Sequence, residues 1–123
     1  MKNLNKVNKL AIALCNKKYQ KSYFGPGVVL FNDTPPIDYH VYVLFDDAPI
    51  CRWLKMFDKI AITIGEVVII REKYLTPALI RHERVHVDQW RNSGPIFGWK
   101  YAMNPSKYED AAEDAENLKG PIA

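Results

Sequence analysis

The chain has 123 residues, 48% of them hydrophobic and 25% charged, with a net charge of +3. That balance excludes wholesale disorder, collagen-like repeats and a coiled-coil rod, and the length suits one domain over residues 1–123. No apolar run approaches the ~20 residues that span a bilayer, and so weak a net charge is no argument for nucleic acid.

Residues 3–19 are expected to be helical. Leu4, Val7, Ala11 and Leu14 recur at helical spacing, and most of the lysines fall elsewhere on the wheel. The first 21 residues carry six lysines and no acid. This basic segment, taken as 1–22, reads as a solvated helix face, the sharper alternative being contact with an acidic partner or an anionic surface. The apolar run Leu10–Leu14 ends in Cys15-Asn16-Lys17-Lys18, too short and wrongly flanked for a signal peptide. A cytoplasmic or virion-associated chain is expected, with Cys15 and Cys51 as reduced thiols.

Tyr23–Gly27 reads as a turn, Val28–Phe31 as a short strand and His40–Phe45 as a second strand. Residues 51–58 carry no decisive pattern, although Trp53, Leu54 and Phe57 would suit one short amphipathic turn of helix. Ile60–Ile64 and Val67–Ile70, separated by Gly65-Glu66, read as a β-hairpin. Thr76 and Pro77 then fit the cap and first position of a helix running to Trp90-Arg91. After the aromatic stretch Phe97, Trp99, Tyr101, a last helix opens at Asn104-Pro105 and ends near Lys119. The fold expected is α+β: a small antiparallel sheet with its hairpin packed on the helix of residues 77–91, beside the C-terminal acidic helix.

The chemistry concentrates in His82-Glu83-Arg84-Val85-His86. Positions i and i+4 stand one above the other on a helix, so both imidazoles can reach one metal ion, with Glu83 beside them to hold a water. Shuffling a chain with this composition gives about 0.003 such matches, so the pattern is specific. A third ligand is required. Gln89 and Asn92 stand where a same-segment continuation would need Gly and His, which leaves the acidic helix: Glu109 as ligand, with Glu113 one turn on as the carboxylate that accepts from a ligating histidine. Glu116 reads as a solvated acid.

Residues 60–116 resemble the catalytic core of a gluzincin-type zinc metallopeptidase. The likeness is to the single-domain minigluzincins and related short bacterial and phage proteins. It rests on the hairpin, Thr76-Pro77-Ala78-Leu79, the His82–Trp90 segment and Asn104-Pro105 leading into Tyr108-Glu109-Asp110-Ala111-Ala112. Short relatives often carry a Glu where this chain has Ala111. The resemblance implies one zinc per chain on His82, His86 and Glu109, Glu83 as general base, a metal-site core over 60–119, and a Tyr or His supporting the oxyanion, for which Tyr101 and Tyr108 are the candidates. The implied partner is a peptide or protein, and strand Val67–Ile70 is the expected edge for an extended substrate.

Several residues have blander expected roles. His40 reads as a packed or surface histidine, the tryptophans as core and cleft wall, and Arg81, Arg84 and Arg91 as a solvent face. The function expected is zinc-dependent peptide hydrolysis. The alternatives are a catalytically silent zinc-binding structural or interaction module, such as a virion or assembly component, and a basic nucleic-acid binder using the N-terminal lysines.

Overall fold

The computed structural model describes residues 3–32 and 34–117. Their order is α1 (Asn5–Leu14), β1 (Gln20–Phe24), β2 (His40–Leu44), α2 (Pro49–Met56), β3 (Ala61–Ile64), β4 (Val67–Arg71), α3 (Pro77–Ser93), α4 (Phe97–Met103) and α5 (Pro105–Glu116). Short 3-10 turns precede β1 and join α3 to α4. Met1, Lys2 and the expected end of the last helix at Lys119 lie outside the described residues.

The α+β class and the hairpin on α3 are as expected, but the sheet is mixed. Its order is β1-β2-β4-β3. β1 pairs antiparallel with β2 and β3 with β4, whereas β2 and β4 run parallel. The two central strands are apolar at every buried position because helices cover both faces. Val41, Val43, Val68 and Ile70 pack with Leu79, Ile80 and Val87 on the α3 side. Tyr42, Leu44, Val67 and Ile69 pack with Ala11, Cys15 and Cys51 on the α1 and α2 side. Both cysteines are buried free thiols. Burial pushes Cys15 up to about 12 and Cys51 up to about 11, so neither is a thiolate at neutral pH.

Two sequence assignments shift. Residues 28–31 form no strand: Gly27 N and Val28 O bond only to Ile37, while Val28 and Val29 stay exposed. The strand lies earlier, at Gln20–Phe24, where alternate side chains turn inward against β2. The expected 3–19 helix accordingly stops at Leu14.

The hairpin turn is held by α1. Gly65 has φ +66, and a Cβ there would collide with the Asn8 side chain. Asn8 Oδ1 accepts from Glu66 N at 2.8 Å, and its Nδ2 donates to Glu66 Oε1 at 3.0 Å. α3 starts as expected, with Thr76 Oγ1 accepting from Leu79 N at 3.2 Å and Pro77 at the first position.

Candidate metal centre

α3 crosses the sheet with Glu83, His86 and Val87 buried, and α5 packs antiparallel along it, Tyr108 beside Gln89 and Glu116 beside His82. His82, Glu83 and His86 form a group that could hold a metal ion, their ligand atoms all within 4.8 Å of one another. Glu109 brings its Oε1 to 3.1 Å from His82 Nε2 and 3.3 Å from His86 Nε2. Glu83 is the more distant carboxylate, 3.8 Å from His82 Nε2.

The far nitrogens of both rings are engaged. His82 Nδ1 lies 2.6 Å from Glu116 Oε1, and His86 Nδ1 lies 2.8 Å from Gln89 Oε1. Gln89 Nε2 donates to the Tyr108 carbonyl, which fixes the amide with its oxygen toward His86. In neutral rings both Nδ1 atoms therefore donate, and both Nε2 lone pairs face the Glu109 oxygen. Three acceptors converging in this way require a cation or protons between them. For metal–ligand bonds of about 2.0–2.1 Å, a tetrahedral shell places its ligands about 3.3–3.4 Å apart, so the two distances from Glu109 Oε1 suit a metal ion held between these groups.

The charges respond to this crowding. Hydrogen bonding by Glu109 raises His82 up to about 9 against the opposing effect of burial, and the Glu83 charge adds to it. For His86, burial disfavours the charge, but Glu109, Glu83 and Gln89 outweigh it and the net shift is upward. Glu109 is held well below the usual carboxylate range by His82 and His86, with Tyr101 contributing. Glu83, only 4% exposed, is pushed up by burial, with His86 and Thr63 opposing.

The outer partners correct the sequence reading. Glu113 lines the cleft but is exposed, and the carboxylate on His82 is Glu116. On a helix the seventh residue after Glu109 points within about 20° of it and the fourth about 40° away, so the antiparallel crossing selects Glu116. Arg81 is not on a solvent face. It donates to the carbonyls of Ala115 at 3.1 Å and Glu116 at 2.9 Å, tying down the end of α5. Arg84 and Arg91 both reach Asp38, and Arg91 also pairs with Glu66 at 2.7 Å. His40 stays remote from the metal group, its Nδ1 bonded to the Tyr23 hydroxyl.

Of the two tyrosines, Tyr101 lines the cleft and donates its hydroxyl to Glu109 Oε2. Tyr108 packs edge-on against Phe97 at 4.9 Å and does not line it. Sequence reasoning missed Thr63, whose Oγ1 donates to Glu83 Oε1 at 2.8 Å, and Gln89. Both left a signal: Thr63 is the lone hydroxyl in an apolar strand, and Gln89 follows His86 by three residues, one helix turn.

The metal group opens into a cleft of about 520 Å³ walled by β3, α2 and the α3–α5 pair. The strand bordering it is β3. β4 has neighbours on both sides and offers no edge, which moves the expected substrate edge from Val67–Ile70 to Ala61–Ile64. No family model, curated protein or solved structure matches the chain. Among the described residues no helix is long and apolar enough to cross a membrane.

Proposed function

We propose that the chain is a zinc-dependent peptidase, with zinc held by His82, His86 and Glu109 and with Glu83 as general base. The observation that carries this reading is the convergence of two Nε2 lone pairs and one carboxylate oxygen beside a buried, separately anchored glutamate.

Zinc, when bound, supplies Lewis acidity that brings the pKa of water toward about 7 and polarises a carbonyl. Glu83 does the proton work. Thr63 holds its Oε1, which leaves Oε2 turned toward His82 to accept a proton from the attacking water and pass it to the departing amine. Its upward shift makes it a stronger base than an ordinary carboxylate, which suits taking up the water's proton. Glu116 and Gln89 keep the two imidazoles in the tautomer that presents Nε2. Tyr101 fixes the second oxygen of Glu109, so its role is ligand orientation ahead of oxyanion support. An extended peptide would pair with the free edge of β3 beside these groups.

The test is Glu83→Gln, assayed on a mixture of denatured proteins with and without a zinc chelator. The variant should keep its zinc and lose about 10²–10⁴-fold of wild-type cleavage. A zinc-loaded wild type that cleaves nothing across a broad panel would overturn the proposal in favour of a silent zinc-binding module.

A further inference from the structure

Strand β3 separates two different surfaces. Its side chains alternate, so Ala61 packs with the α3-side core and Thr63 reaches Glu83, while Ile62 and Ile64 pack with the α1 and α2 side. On that second side lies a groove of about 440 Å³ lined by Leu14, Pro49, Ile50, Trp53, Ile62 and Ile64, with no charged or polar side chain among them. Trp53 and Leu14 are each 46% exposed. Trp53, Ile62 and Ile64 also line the cleft that holds the metal group, so groove and cleft are continuous around the strand edge.

The edge itself offers few bonds. Next to a two-residue hairpin turn, Ile64 pairs with Val67 and Ile62 with Ile69, so Ala61 and Thr63 direct their backbone groups outward. Trp90 Nε1 takes the Thr63 carbonyl at 3.1 Å. That leaves the Ala61 N–H and C=O and the Thr63 N–H for a new strand. With so few backbone bonds on offer, burial of alternate side chains must add to the affinity as well as set the specificity.

We infer that this groove is a specificity surface for an extended peptide with large apolar side chains at alternate positions. A strand added to β3 turns successive side chains to opposite faces. One set meets His82, Glu83 and His86, and the set between them, spaced about 6.8 Å apart, falls on Leu14, Trp53, Ile62 and Ile64. The inference rests on the peptidase reading only for where the substrate lies, because binding requires no turnover.

The experiment uses zinc-loaded Glu83→Gln protein and fluorescent nine-residue peptides in a Ser/Thr/Gln background. One peptide carries leucine or phenylalanine at i and i+2, and its control carries the same residues at i and i+1. Anisotropy should show tighter binding of the alternating peptide. Adding Trp53→Ala or Leu14→Ser should weaken that peptide about tenfold or more, with zinc content and circular dichroism unchanged. Equal binding of both peptides, or no effect of either substitution, would overturn the inference. So would a concentration-dependent dimer that excludes the peptide and dissociates on Trp53→Ala, since a second copy would then occupy the groove. Pattern-selective binding by a wild type that cleaves nothing sinks the peptidase reading alone, and cleavage blind to the pattern sinks this inference alone.

Discussion

Glu116 Oε1 sits 2.6 Å from His82 Nδ1, joining two helices across 34 residues of chain. The contact orients the ring and favours the tautomer that turns a free Nε2 lone pair toward Glu109. Loss of such an outer partner typically costs about 10–100-fold in metal affinity. Glu116→Ala should therefore weaken zinc binding by that factor, and Glu113→Ala should leave it close to wild type. Competition with a chromophoric chelator measures both, and the reverse order would return the role to Glu113.

Glu109 should matter more than either. Its Oε1 lies within 3.3 Å of both Nε2 atoms, so on the proposed ligand set Glu109→Ala removes the third donor while leaving His82, His86 and their outer partners in place. Zinc affinity should fall by more than about 100-fold, beyond the outer-partner range. Stoichiometric zinc retained after dialysis of Glu109→Ala would show that the site does not use this carboxylate.

Thr63→Val deletes the hydroxyl at nearly constant shape. The bond from Thr63 favours the ionised form of Glu83, so its loss raises the Glu83 pKa further. Because the base must be ionised to work, the acid limb of the pH–rate profile should move to higher pH. On that acid limb cleavage should drop about tenfold or more, in keeping with ~1.5–3 kcal/mol for a hydrogen bond to a charged group. Thr63→Ser should restore most of it, and zinc content should not change in either variant.

Removing zinc should lower the melting temperature. A ligand present at about 100 times its Kd stabilises by about 2.7 kcal/mol. For a domain of this size that corresponds to about 10 °C. Calorimetry before and after verified chelation tests it, and coincident transitions would mean that the site contributes little to the fold.

Glu66 links stability to pH away from the metal group. It accepts from Asn8 and Arg91, and these bonds hold its carboxyl below the usual range even though burial pushes the other way. A folded pKa below the unfolded value of about 4.3 contributes stability that is complete above that pH and lost as pH falls through the folded value. Between pH 6 and pH 3, wild type should therefore lose more stability than Glu66→Gln, by about 1 kcal/mol or less for a pair this near the surface. Parallel losses in the two proteins would remove Glu66 from the acid response.

What could be read from the chain was local. Thr76, Pro77 and the i, i+4 pair His82 and His86 define α3 and its metal-facing side through backbone geometry alone, and Gly65 marks the hairpin because the turn needs positive φ. Glu109 was also within reach, as the first acid of the acidic C-terminal helix. Choosing Glu116 over Glu113 depended on how α5 crosses α3, and on Arg81 holding the last turn of α5 in place. Strand order decided that β3, not β4, borders the cleft: β4 became central only when β2, from far earlier in the chain, paired in parallel beside it. Residues one helical turn or one hairpin apart are brought together by local dihedral angles. The carboxylate on His82 and the free sheet edge come from packing between distant segments, which no spacing within one element encodes.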